Sequence, residues 1–148
     1  PRPEARRRTE ELLEFLSLAD ERGKLVVDYS QGMRKKLALA CALVHGPQVL
    51  FLDEPLHGID PVSGRVVSDL LRRLTARGVT LFFTSHVLDV VERLCDEVAV
   101  IDRGRIVAQG SLDAIRGQRE MGGDASLEDV FLKLVQADVR REDLSWIG

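Results

Sequence analysis

The chain has 148 residues, 45% hydrophobic and 30% charged, a length and mix that fit one ordinary domain with a buried core. Lysine and arginine total 21 against 24 acidic residues, a net charge of -3. No broad basic footprint is therefore offered to a nucleic-acid backbone or an anionic bilayer, and nucleic acid is not expected as a partner.

The longest apolar run, Leu37 to Val44, falls far short of the roughly 20 residues that span a bilayer. Pro1-Arg2-Pro3-Glu4 lacks the apolar centre of an export signal, so the chain is expected to be soluble and unexported. Glu4 to Ala19 carries strong helix formers, with Leu12, Leu13 and Leu16 on one side, and predicts an amphipathic helix. The run Arg6-Arg7-Arg8 reads as its solvated face. Tyr29-Ser30-Gln31-Gly32-Met33 leads into a second helix, Arg34 to Val44. Ser30 is the expected N-cap, Gly32 lets the backbone approach a ligand, and the free N–H groups of a helix start suit a phosphate. Serine caps and first-turn glycines are equally common without any ligand. Leu37, Ala40, Cys41 and Val44 keep helical spacing, which predicts a mostly internal helix. Cys41 and Cys95 belong to no CxxC or Cys/His cluster and are expected to pack as small apolar residues in a reducing compartment.

Three short runs dense in branched and aromatic residues follow: Val49 to Leu52, Val79 to Phe83 and Val98 to Ile101. None alternates with polar residues, the pattern of strands covered on both faces of a parallel sheet. Between them, Asp60 and Pro61 mark a helix start, Val66, Leu70 and Leu74 repeat at four, and Gly78 closes the helix. Val87, Val90, Val91 and Leu94 predict another. Two βαβ units in an α/β parallel sheet are the expected result. Asp102-Arg103-Gly104 predicts a tight turn into an antiparallel return strand, Ile106 to Ala108. Ser111 and Ser126 are expected caps of two further helices, the second with an acidic capping box, Ser126-Leu127-Glu128-Asp129. Gly117 to Asp124 reads as a linker, and Val139 to Gly148 as a frayed tail.

Ligands of such sheets bind at the carboxyl ends of the strands. The first run ends in Asp53-Glu54-Pro55, where one carboxylate can hold magnesium through water while the other orients or deprotonates a water nucleophile. Acids also end strands simply where the chain returns to solvent. The second run ends in Thr84-Ser85-His86, which carries an imidazole toward the same rim, able to donate to a phosphate oxygen. A histidine at a strand end is also commonly a surface residue. His45 and His57 have no comparable placement and are read as structural.

The order and content of these pieces resemble the ABC transporter ATPases. Tyr29 to Met33 is similar to their signature loop, Val49 to Pro55 to the Walker B strand, Leu56-His57-Gly58-Ile59-Asp60-Pro61 to the D-loop, and Thr84-Ser85-His86 to the switch region. The form Tyr29-Ser30-Gln31-Gly32-Met33-Arg34, with Ser126-Leu127-Glu128-Asp129-Val130-Phe131-Leu132, resembles the ATP-binding subunits of ABC-2 type exporters. Tyr29, Gln31 and Met33 depart from the commonest signature, whereas Ser30 and Gly32 keep it. The resemblance implies an α/β, P-loop NTPase-like parallel sheet with flanking helices, incomplete here and preceded by part of the helical subdomain. Residues 1–45 would end that subdomain, 46–116 would form the Walker B, D-loop and switch part, and 117–148 a linker and C-terminal helix.

It implies ATP and Mg2+ as cofactors, with Asp53 holding the metal, Glu54 and His86 catalytic, and Ser30, Gln31, Gly32 and Asp60 contacting nucleotide or linking sites. A membrane-spanning permease and a second nucleotide-binding domain, in a head-to-tail homodimer, are the implied partners. The implied location is the cytoplasmic face of the cell membrane. No GxxxxGK[ST] occurs in the 148 residues; Gly117 to Gly122 has the glycine spacing without the Lys-Ser/Thr pair. The chain is therefore expected to be a C-terminal portion of a nucleotide-binding domain, inactive by itself. A truncated, non-enzymatic permease-docking or regulatory fragment is the alternative. A soluble ABC protein with paired cassettes and a helicase-like P-loop enzyme fit the motifs less well.

Overall fold

The computed structural model describes residues 3–117 and 126–134. The expected linker beyond Gly117 and the expected tail from Val139 lie outside the described residues. The chain divides into two compact units, Pro1–His86 and Val87–Gly148. Among the described residues, no helix is long and apolar enough to cross a membrane.

The first unit opens with helix α1, Pro3–Phe15. Its arginines pair with glutamates one turn away, Arg7 with Glu4 at 2.9 Å and with Glu11 at 2.7 Å. These exposed pairs contribute little each. α1 ends four residues short of the expected Ala19 for a local reason. Ser17 adopts φ 54, the Ser17 N–H donates to the Glu14 carbonyl at 3.0 Å, and the Leu18 N–H reaches back to Leu13 at 2.7 Å. That is a Schellman C-cap, with serine where glycine is usual. It turns Leu16 and Leu18 inward, where they are 1% and 0% exposed.

Helix α2, Gln31–Leu43, starts at Ser30, whose Oγ accepts from the Met33 N–H at 3.2 Å. Its buried face is Lys36, Leu39, Ala40 and Leu43, one position out of step with the expected stripe. Cys41 is accordingly exposed and Cys95 only half-buried, a correction to the expectation that both cysteines pack inside. The cause is the neighbours: α1 meets α2 along Leu12, Leu13, Leu37, Cys41 and Val44 as an open groove rather than a closed seam.

Strand β1, Val49–Asp53, pairs in parallel with β2, Thr80–Thr84, and helix α3, Pro61–Thr75, connects them. Asp60 caps α3 through its Oδ1, which accepts from the Ser63 N–H at 2.9 Å. Gly78, at φ 87, ends the turn after it, with the Val79 N–H on the Leu74 carbonyl at 3.1 Å. The deepest α3 residues are Val67 and Leu71, at 1% and 0% exposure, beside the expected Val66 and Leu70. Burying each such side chain contributes about 1.5–3 kcal/mol.

The expectation of strands covered on both faces fails here. Leu50 is 5% exposed, but Val49 and Phe51 on the opposite face are 51% and 72% exposed, and Phe82 is 59% exposed. Side chains alternate across a strand, so 49, 51, 80 and 82 share one face, and among the described residues of this unit nothing covers it.

The second unit contains helix α4, Leu88–Leu94, strands β3, Val98–Asp102, and β4, Arg105–Gly110, then α5, Leu112–Gly117, and α6, Leu127–Leu134. β3 was expected as a third parallel strand; it pairs antiparallel with β4 in a separate two-stranded sheet, so one βαβ unit forms rather than two. The two-residue turn explains the preference for local pairing. Arg103 and Gly104 have φ 46 and 75, the backbone of a hairpin turn whose twist matches its strands. Val100, Ala108, Ile115, Val130 and Leu134 form the core. The Ser126 capping box forms as expected, Ser126 Oγ accepting from Asp129 N–H at 3.2 Å and Asp129 Oδ2 accepting from Ser126 N–H at 3.2 Å.

Candidate functional site

The parallel register sets Asp53 opposite Thr84, so both strand ends deliver their following residues to one rim. The Thr84 hydroxyl donates to Asp53 Oδ1. The chain then kinks: Glu54 adopts φ 45, a conformation that non-glycine residues enter only where surrounding contacts hold it. Those contacts are visible. Glu54 N–H donates to the Thr84 carbonyl at 3.2 Å and lies 3.3 Å from its hydroxyl. Its own carbonyl accepts from Lys35 Nζ of α2 at 2.7 Å and from the His57 N–H at 3.2 Å.

The kink aims the Glu54 carboxylate at the second strand end. Oε1 accepts from the His86 backbone N–H at 3.0 Å and sits 2.7 Å from His86 Nδ1. The Glu54 side chain is 29% exposed and the imidazole 63%, so the pair is open to a ligand. Three of the expected site residues, Asp53, Glu54 and His86, are thus brought together by the strand register and the kink at Glu54.

Ser30, Gln31 and Gly32 form the start of α2. The N–H groups of Gln31 and Gly32 precede the first helical bond, Arg34 N–H to Ser30 carbonyl at 2.9 Å, and so have no intrahelical acceptor at the positive end of the helix. Ser30 Oγ accepts from Met33 and keeps its own O–H for donation. Tyr29, a departure from the commonest signature, is 7% exposed. Its hydroxyl donates to the Glu21 carbonyl at 3.0 Å, and its carbonyl accepts from Arg34 at 2.7 Å.

The loop after β1 lies against this helix start. A Cβ on Gly58 would fall 3.0 Å from the Gln31 side chain, and one on Gly32 would fall 3.6 Å from the Gly58 carbonyl. Asp60 is occupied as the N-cap of α3, and the Ser63 hydrogen bonds hold its carboxyl below the ordinary aspartate range.

His57 was read as structural, and the structure places it at the site. Its ring centroid is 5.1 Å from that of His86, and Glu54, His57 and His86 each offer a ligand atom within 4.8 Å of the others. The readable signal was its position three residues after Glu54, where a turn returns the side chain toward the carboxylate.

Hard carboxylate oxygens suit magnesium, which keeps most of its waters; the exposed Asp53 at the strand end is such a donor. The start of α2, with N–H groups that no helical carbonyl takes and a serine hydroxyl, has the chemistry to meet phosphate oxygens.

The family model described as ABC transporter matches residues 3–57. The chain is 44% identical over 120 residues to the daunorubicin resistance ATP-binding protein DrrA3 of Streptomyces coeruleorubidus, covering 81% of this chain and 37% of that protein. It is 43% identical over 104 residues to the Nod factor export ATP-binding protein I of Rhizobium leguminosarum bv. viciae, covering 70% of this chain and 33% of that one. A solved ATP-binding subunit of an ABC transporter superposes with a TM-score of 0.82 at 32% identity, covering 90% of this chain and 55% of its own. The chain spans about a third of the length of these curated relatives.

Proposed function

The chain belongs to the ATP-binding proteins of ABC transporters, of the ABC-2 exporter type, and from that premise we propose that it supplies the hydrolytic rim and signature loop of an ATPase that energises export through a separate membrane permease. The observation that carries this reading is the Glu54 carboxylate held 2.7 Å from His86 Nδ1 beside Asp53. In this reading Glu54 polarises the attacking water, and His86 donates to the γ-phosphate as charge builds. Asp53 holds magnesium through water; bound magnesium neutralises charge on the phosphates.

Ser30, Gln31 and Gly32 cap the phosphates of a nucleotide held by a second copy, head to tail, and Asp60 sits in the loop that links the two sites. Residues 1–45 close the helical part, 46–116 the hydrolytic part, and 117–148 follow as linker and helix. The working place is the cytoplasmic face of the membrane, beside the permease. Support comes from the exporter names of the relatives and from the meeting of Asp53, Glu54 and His86 at one rim of this chain. Since no GxxxxGK[ST] lies in these residues, the chain by itself is expected to show negligible ATP turnover.

The test joins this chain to a phosphate-loop half and measures magnesium-dependent hydrolysis. Glu54→Gln is expected to lower turnover by roughly 10²–10⁴-fold, the usual worth of a positioned base. Undiminished turnover in that variant would remove Glu54 from the chemistry.

A further inference from the structure

We propose that Glu54, His57 and His86 form a binding site for a divalent transition metal of the zinc class, and that occupancy takes Glu54 and His86 out of hydrolysis. The inhibitory consequence rests on the reading of Glu54 and His86 given above; the binding itself does not. The three ligand atoms lie within 4.8 Å of one another, and Glu54 Oε1 and His86 Nδ1 are already 2.7 Å apart. Two imidazoles and a carboxylate with a fourth position left to water is a donor set that suits zinc. Bonds of about 2.0–2.1 Å set tetrahedral ligand edges near 3.3 Å, so small side-chain rotations from the present positions are sufficient.

Backbone contacts hold all three ligands in advance. Glu54 is held by its kink and by Lys35, and the His86 N–H is tied to the same carboxylate. His57 is held by its N–H on the Glu54 carbonyl at 3.2 Å, and its ring, at 57° to that of His86, is exposed. Imidazole selects zinc, copper or nickel over magnesium. The site thus differs in kind from the magnesium position at Asp53.

The experiment titrates the purified chain with Co2+, followed by displacement with Zn2+ against a chromophoric chelator, in the absence of nucleotide. One equivalent is expected, with the visible bands of four-coordinate cobalt and no thiolate charge-transfer band. Changes outside the ligand shell commonly cost about 10–100-fold in metal affinity; His57→Ala and His86→Ala are each expected to weaken binding at least tenfold, while His45→Ala does not. Circular dichroism of each variant checks that the fold survives. A thiolate band from Cys41 or Cys95, or affinity unmoved by His57→Ala, overturns the proposal.

In the product joined to a phosphate-loop half, zinc is expected to inhibit hydrolysis, and His57→Ser to raise the zinc concentration that half-inhibits each variant relative to its own metal-free rate by at least tenfold. Zinc binding without dependence of hydrolysis on Glu54 would overturn the enzyme reading and leave the metal site standing. Dependence on Glu54 without zinc binding would do the reverse.

Discussion

Tyr29 shows how a departure from a common motif is absorbed by the surrounding structure. Its ring is buried and its hydroxyl donates to the Glu21 carbonyl, so it ties the approach to α2 to the short helix at Ala19–Glu21. Tyr29→Phe leaves that carbonyl short of a partner and is expected to destabilise the chain by about 1 kcal/mol, read by urea denaturation. Asp60 carries a pH dependence whose sign follows from its cap. Its carboxyl is lowered in the native state by the Ser63 hydrogen bonds, so the unfolded chain binds protons more readily there. The stabilisation is complete above the ordinary aspartate range and is lost as pH falls through the lowered native value. Asp60→Ala is expected to flatten that acid limb of a stability–pH curve, and an unchanged limb would remove the cap as its source. At this scale the meeting of Asp53, Glu54 and His86 at one rim was legible, because the placement of strand ends depends on register and the two runs are in step. His57 was not, since a turn rather than a periodic element places it.

Caps decide where elements stop. Ser17 occupies the left-handed C-cap position of α1, which glycine fills with less strain; Ser17→Gly is expected to stabilise by about 1 kcal/mol, whereas the same logic makes Gly78→Ala destabilising by a similar amount. Paired thermal melts test both. α6 is held from outside itself: Glu92 of α4 accepts from the Leu127 N–H at 2.7 Å and from Arg116 at 2.9 Å. Glu92→Ala is expected to raise amide exchange across α6 while leaving β1 and β2 protected. The caps at Ser30, Asp60, Ser111 and Ser126 were all readable, because each is a local contest between a side chain and nearby N–H groups. The buried stripes of α2 and α3 were displaced by one residue, since spacing identifies a face only to within a fraction of a turn and the neighbours choose the rest.

For the molecule as a whole, composition could not reveal that, among the described residues, one face of the first sheet is left open. Continuous apolar strands imply cover on both faces, yet Phe51 and Phe82 stand exposed with ring centroids 5.5 Å apart. A hydrophobic dye is expected to bind the chain, and Phe51→Ser with Phe82→Ser to reduce its fluorescence; unaltered fluorescence would place the dye elsewhere. The turn at Asp102-Arg103-Gly104 and its antiparallel return strand form as expected, but β3 joins no parallel sheet with β1 and β2, as a run of apolar residues does not say which further partner it takes. The left-handed backbone of Glu54 has an evolutionary corollary. Such a conformation costs on the order of 1–3 kcal/mol in a non-glycine residue, so, on the hydrolytic role proposed for Glu54, a lineage freed from that role would gain stability by drifting to glycine there. A mutational library selected only for folding should enrich Glu54→Gly, whereas one selected for export should purge it. Divergence between those two selections would measure how far the need for a carboxylate opposes the relaxation of the chain.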